Sequence, residues 1–318
     1  MRPELDRVVS QIEKAVSGKR DVIEKLALSL IAGGHVLLDD VPGVGKTTLA
    51  VALGRAVGLT FRRVQCTPDL MPGDLVGFTM YDRAAGDFIY RSGALLGVNL
   101  VLADEINRAS SKTQSAMLEA MEERQATVDG ETHRLEKPFM VVATQNSVGA
   151  AGTQMLPYAQ MDRFLMRLSR GYPDYGAQMA LLRARQEGDP MDGVENVISR
   201  EGILAMQAEA RRVTSRDEIL DYITRLAMAS REHPLVEVGI SPRGALFVDR
   251  AAKARAWMEG RDYVTGEDVA RVLMDVCGHR ILVKEGAEGR TARDVIDELI
   301  RTVESPDRHQ RPKWLRGR

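Results

Sequence analysis

Residues 35–56 read HVLLDDVPGVGKTTLAVALGRA. The first four residues are a short apolar run, as a buried strand requires. The last ten are rich in alanine and leucine, as a helix prefers. Between them DVPGVGKTT (40–48) is a glycine loop that turns a strand directly into a helix. Gly43 and Gly45 let the backbone curl until its N–H groups face one point, which is how a loop holds phosphate. Lys46 adds a point charge for the β- and γ-phosphates, and the Thr47 hydroxyl is placed to ligand Mg²⁺. The start of the helix contributes a partial positive charge. Val41, Pro42, Val44 and Thr48 complete the candidate cradle. The general pattern opens with glycine where this chain has Asp40. Its carboxylate must point away from a polyanion or affinity suffers.

Outward from that loop, Leu5, Val8, Val9, Ile12 and Val16 keep helical spacing up to Gly18, and a second helix follows Asp21 until Gly33-Gly34. Further strands are predicted at Phe61–Cys66, Val98–Ala103 and Phe139–Ala143, with a weaker one at Phe164–Leu168. The long helix between the second and third of these runs from Ser110 to Arg124. Strands alternating with helices imply an α/β fold, a parallel sheet flanked by helices. Past Gly171-Tyr172-Pro173 the pattern changes to helices alone, near 174–187, 199–212, 215–231, 242–259 and 266–277. The expected organisation is an α/β domain over 1–171, a smaller all-α domain over 172–305, and a basic, mobile tail over 306–318 with Trp314 as a candidate anchor. Hairpins are expected at Ala126–Pro138, turning on Asp129-Gly130, and at Phe78–Tyr90.

Two further segments carry polar chemistry. NLVLADE puts Asp104 and Glu105 at the carboxyl end of a strand, where open α/β sheets bind ligands. Asp104 suits a Mg²⁺ partner, and Glu105 suits a base that deprotonates the attacking water. FMVVATQN ends a neighbouring strand in Asn146, whose amide can hydrogen-bond that water.

Together these segments resemble an AAA+ ATPase, and the MoxR branch in particular. LADEINRASSKTQSAMLEAMEERQATVDG (102–130) is similar to that branch's central signature, TPDLMPGDLVG (67–77) to its segment after the second strand, AQMDRFLM (159–166) to its finger motif and GISPRGAL (239–246) to its second-sensor motif. The resemblance covers about residues 5–290. It implies an AAA+ core with a helical lid and the nucleotide between them. It implies that Lys46 and Thr47 bind ATP, that Asp104 and Glu105 serve Mg²⁺ and hydrolysis, and that Asn146 is the first sensor. Arg163 is then the finger reaching a neighbouring subunit, Arg243 the second sensor on its own subunit's nucleotide, and Val16 and Gly18 the adenine contact. The branch tolerates Asp40. Ala94 and Ser147 stand where it usually has proline. The resemblance further implies a hexameric ring of this chain, a partner with a von Willebrand A-type domain, and maturation of a metalloenzyme or complex.

Composition narrows the alternatives. The 318 residues carry 44 basic and 45 acidic side chains, a net charge of −1, with 5% aromatic residues. Such a balance argues against holding nucleic acid by a bulk positive field or by stacked aromatics. That disfavours a DNA-acting motor and leaves a chelatase-like motor as the nearer alternative. A guanine-nucleotide switch would need an Asn-Lys pair to read the base, and Asn99, Asn107, Asn146 and Asn196 are never followed by lysine. A degenerate scaffold would not keep Lys46, Thr47, Asp104 and Glu105 together. Cys66 and Cys277 are too few and too distant for a zinc site and read as buried thiols. The most apolar stretch, 26–38, is too short and too interrupted for a membrane span, and the N-terminus lacks a signal-peptide pattern. A cytoplasmic protein is expected.

Overall fold

A computed structural model describes residues 1–84, 86–146, 156–287 and 289–307. Two helices, α1 (Pro3–Ala15) and α2 (Arg20–Ile31), lead into β1 (Val36–Asp40), α3 (Lys46–Ala56) and β2 (Phe61–Gln65). A short helix α4 (Pro72–Val76) precedes the hairpin of β3 (Phe78–Asp82) and β4 (Asp87–Arg91). Next come β5 (Leu100–Asp104), α5 (Ser111–Glu123), the hairpin of β6 (Gln125–Val128) and β7 (Glu131–Arg134), then β8 (Met140–Asn146). The short helix α6 (Tyr158–Met161) leads to β9 (Met166–Leu168).

Five strands form one parallel sheet in the order β2-β5-β8-β1-β9. Its register matters for function. Asp40 at the end of β1 pairs with Asn146 at the end of β8, and Gln65 of β2 pairs with Asp104 of β5. The polar ends of four adjacent strands are therefore brought to one edge.

The strand interiors are apolar on both sides, as a sheet covered on both faces demands. Side chains alternate between the faces. Val36, Leu38, Leu100, Leu102, Met140 and Val142 join a core built with α1, α2 and α3. Leu37, Val101, Ala103, Val141 and Ala143 face Met117, Leu118 and Met121 of α5 instead. Burying one such side chain is worth about 1.5–3 kcal/mol, so two opposed faces fix the register of every strand at once.

After β9 come α7 (Tyr175–Glu187), α8 (Arg200–Arg212), α9 (Asp217–Glu232), β10 (Val236–Val238), α10 (Pro242–Met258), α11 (Gly266–Cys277), β11 (Leu282–Val283) and α12 (Ala292–Thr302). The five expected helices form within two residues of their anticipated ends. Ser199, Ser241 and Thr265 cap α8, α10 and α11 by accepting backbone N–H bonds. Two features depart from a purely helical reading. β10 and β11 pair antiparallel, but at three and two residues they are too short for alternation to register. The helix α12 was not anticipated, although Thr291 and Asp294 form a capping box and Val295, Ile296 and Leu299 are buried. The expected turn at Asp129-Gly130 is present, with both residues at positive φ (51° and 86°), the twist a two-residue hairpin favours. Ala94, where the family usually has proline, donates its N–H to Asp74 O at 2.8 Å, a bond proline cannot make. Ser147 and Trp314 lie outside the described residues.

Candidate functional site

The glycine loop bridges β1 and α3 as its sequence requires. Gly43 and Gly45 have φ of 80° and 83°, the left-handed region that side chains resist. Gly45 is the N-cap of α3, so no side chain satisfies the first N–H groups of that helix. They remain open to an outside anion. Val44 is buried, Val41 and Thr48 are half-buried, and Pro42 is exposed at the turn.

The Asp40 side chain turns away from the loop, as its charge required. One oxygen accepts from Val41 N at 2.9 Å. The other accepts from Arg170 N at 2.5 Å and Gly171 N at 2.7 Å. This buried carboxylate is thus saturated by backbone donors and ties the loop to the chain leaving β9.

The Lys46 ammonium is nearly buried and makes three bonds, to Asp40 O (2.8 Å), Gln145 O (2.7 Å) and Asn146 Oδ1 (2.6 Å). Burial lowers its pKa from the usual value, while Asp40, Asp39, Asp104 and Glu105 pull it back up. Thr47 Oγ1 donates to Asp104 Oδ2 at 3.2 Å. Asp104 also accepts from Thr144 Oγ1 (2.7 Å) and from Arg63 Nη2 (2.6 Å).

Glu105 follows with φ 58°, ψ 50°, a left-handed conformation in a non-glycine residue. Its N–H donates to Thr144 Oγ1 at 2.9 Å. Its carboxylate accepts from Asn146 Nδ2 (3.2 Å), Gln65 Nε2 (3.3 Å) and Arg108 Nη1 (2.8 Å). The strained turn, of order 1–3 kcal/mol, aims the carboxylate back across the sheet edge toward Asn146.

Val16 is buried at the end of α1. Gly18 has φ 79° and packs so closely on Ala177 of α7 that a Cβ there would collide. Arg170 spans the gap by donating to Ser17 O (3.1 Å) and to Val44 O. The segment around 16–18, the glycine loop and α7 therefore meet at one place.

Arg163 and Arg243 are elsewhere. Both pair with Glu122, Arg163 through Nε at 2.9 Å. Glu122 is the last residue but one of α5, two residues before Arg124, which donates to Gly33 O ahead of β1 (2.7 Å). Leu165, just after Arg163, donates to His35 O at the same end (2.8 Å). The glycine loop leaves β1 at its other end. Five strand residues at about 3.3 Å each separate the two edges by roughly 17 Å, beyond the reach of an arginine. Arg243, expected from the resemblance to meet its own subunit's nucleotide, is thus placed at the opposite edge of the sheet from its own glycine loop. The cause is how α10 docks: Arg250 donates to Ala32 O and Gly33 O (both 2.6 Å), fastening the helix at the far edge. It is α7, rather than α10, that lies beside the loop.

Sequence reading missed several participants. Thr144 was within reach, because it stands two residues before Asn146 and shares its strand face. Arg63, Glu122 and Arg170 had no local signal; only the fold brings them to their partners.

Thr47 Oγ1 and Asp104 Oδ2 are adjacent hard oxygen donors, which fits Mg²⁺ held by few protein ligands plus phosphate and water. Among the described residues no group of three His, Cys, Asp or Glu side chains could hold a metal ion, and such a site needs none. Thiols play no part, since Cys66 and Cys277 are free and buried. No helix among the described residues is long and apolar enough to cross a membrane.

A parallel sheet in this order, with a glycine loop, an Asp-Glu strand end and an Asn strand end, defines an AAA-type nucleotide-binding protein. The pattern of the ATPase family associated with various cellular activities (AAA) matches residues 35–166, and that of an AAA lid domain matches residues 228–299. The YeaC protein of Bacillus subtilis (strain 168) is 42% identical over 308 residues, covering 96% of each chain. The chaperone MoxR1 of Mycobacterium tuberculosis is 35% identical over 313 residues, covering 95% of this chain and 82% of its own. A crystal structure of a candidate ATPase from Cytophaga hutchinsonii superposes with a TM-score of 0.87 at 36% identity, covering 95% and 94% of the two chains. The chain belongs to the MoxR family of AAA+ ATPases.

Proposed function

We propose that this protein hydrolyses ATP with Mg²⁺ and uses the energy to remodel or assemble partner proteins. The observation that carries the reading is the bonded set at one sheet edge, where Asn146 joins Lys46 to Glu105, Thr47 bonds Asp104, and the Thr144 hydroxyl links Asp104 to Glu105. Lys46 and the open start of α3 would hold the β- and γ-phosphates. Thr47 and Asp104 would hold Mg²⁺, which supplies charge neutralisation at the phosphate oxygens. Glu105 would take the proton of the attacking water while Asn146 orients it. Val16 and Gly18 would flank the base.

The distance of Arg163 and Arg243 from their own glycine loop supports a ring, with both arginines serving the next copy's nucleotide. That placement ties hydrolysis to assembly. The family supports six copies, and the chaperone name carried by MoxR1 supports a remodelling role. Clients with von Willebrand A-type domains or metalloenzyme complexes are carried over from the resemblance alone; a cytoplasmic site of action rests on the sequence pattern.

Glu105→Gln tests the chemistry. It keeps the shape but removes the base and one of its two acceptor oxygens, so ATP binding should persist while turnover falls by about 10²–10⁴. Undiminished phosphate release from this variant would remove Glu105 from the mechanism.

A further inference from the structure

We propose that Glu122 is the positioning residue for Arg163 and Arg243, setting both guanidinium groups toward the nucleotide of a second copy of this chain. The inference rests on the ring reading above and adds a residue to it.

The Glu122 carboxylate stands between the two arginines and gives one oxygen to each. Arg163 Nε lies 2.9 Å from it as an ion pair, and no described residue pairs with that arginine's terminal Nη atoms. Paired on its stem side, Arg163 presents its fork away from Glu122, the geometry that suits phosphate oxygens. Without an acid between them, two neighbouring guanidinium groups would repel and splay.

The ground beneath the pair is rigid. Arg280, wholly buried, donates to Asp162 Oδ1 (2.7 Å), Asp162 O (2.7 Å) and Phe164 O (2.7 Å). This holds the backbone on both sides of Arg163. Ser241, the N-cap of α10, donates to Asp162 (3.2 Å) two residues before Arg243. Asp162 is committed to Arg280 and Ser241 and reaches Arg243 only at 3.8 Å. Glu122 is the acid left to aim the arginines. Three cations (Arg163, Arg243, Arg280) face two anions (Glu122, Asp162), so the cluster keeps a positive surplus. An arriving polyphosphate would match it.

The test is steady-state ATP turnover by assembled full-length protein, with nucleotide binding measured in parallel. Glu122→Gln, at a side chain over one-third exposed, should bind ATP like the wild type, unfold at the same temperature and turn over about 10- to 100-fold more slowly. Glu122→Asp should recover an intermediate rate. Mixing decides what a structural defect could not mimic. Glu105→Gln subunits have intact arginines and a dead site, so mixing them with Glu122→Gln subunits should restore turnover. Mixing Glu122→Gln with Arg163→Ala should not, because both lack a working finger. Wild-type or raised turnover in Glu122→Gln, or a defect that Glu105→Gln cannot rescue, overturns the proposal. If Arg163→Ala and Glu105→Gln fail to complement each other, the ring reading fails and this inference with it. If they do and Glu122→Gln does not follow the same pattern, only the role of Glu122 fails.

Discussion

The Lys46 ammonium lies 2.6 Å from Asn146 Oδ1, and the same amide donates through Nδ2 to Glu105 at 3.2 Å. One asparagine thus joins the lysine of the glycine loop to the acid proposed as the base. This orientation alone lets its oxygen face a cation and its nitrogen face a carboxylate.

Asn146→Ala should break this bridge without touching the glycine loop. Turnover should fall by about 10²-fold, as loss of an oriented polar group at a reacting centre does, while ATP affinity stays near that of the wild type. Phosphate-release kinetics beside a binding titration separate the two. A large loss of affinity with normal turnover would make Asn146 a binding residue instead.

Asp40 acts as an internal clamp. Its removal in Asp40→Ala leaves the N–H groups of Val41, Arg170 and Gly171 without their acceptor. The expected cost is about 1–3 kcal/mol, read as a lower urea midpoint. Asp40→Asn should cost less, because one oxygen still accepts. An unchanged midpoint in Asp40→Ala would mean that water replaces the carboxylate at no cost.

Two buried histidines predict a pH dependence of stability. His35 uses Nδ1 to accept from Val141 N (2.9 Å) and Nε2 to face Met121 O (3.1 Å), an arrangement only the neutral ring satisfies. Burial, and then Arg124, push its pKa well below the usual value of 6.5. Burial and Arg280 do the same to His279. The unfolded chain then binds protons that the folded chain refuses. Stability from these groups is fully present above pH 6.5 and is lost as pH falls below it, by up to about 1.4 kcal/mol per pH unit for each ring. Denaturant titrations between pH 5 and 8 should show this slope, and His35→Gln should reduce it. A slope equal in the variant would exclude His35 as a source.

The thiols of Cys66 and Cys277 are pushed up to about 12, in both cases chiefly by burial. Neither is a thiolate near neutral pH, so neither should react in the folded state. Mass spectrometry after iodoacetamide at pH 8 should find no label under native conditions and two labels in denaturant. Rapid native labelling would show that one of the packed regions opens.

Much of this was legible in advance. The apolar runs fixed the five parallel strands because a doubly covered sheet needs continuous hydrophobicity. Glycine, lysine and threonine fixed the loop because few backbones can face phosphate. The hairpin at Asp129-Gly130 followed from its turn residues. Apart from α12 and Thr144, which carried local signals, the misses share one cause: β10, β11, Arg63, Glu122 and Arg170 are defined by partners distant in sequence, and local pattern cannot express a pairing.

The amino-acid order by itself determined which residues could carry the chemistry. Gly43, Gly45, Lys46, Thr47, Asp104, Glu105 and Asn146 are each specified by local conformational or chemical need. Only the tertiary structure shows where the arginines lie. Arg163 and Arg243 sit in motifs that name them as phosphate ligands. Yet parallel strands put the start of β9 and the end of β1 at opposite edges of the sheet, and α10 docks beside the former. A strand's length, about 17 Å, separates those two edges, and no local pattern in the sequence expresses that separation.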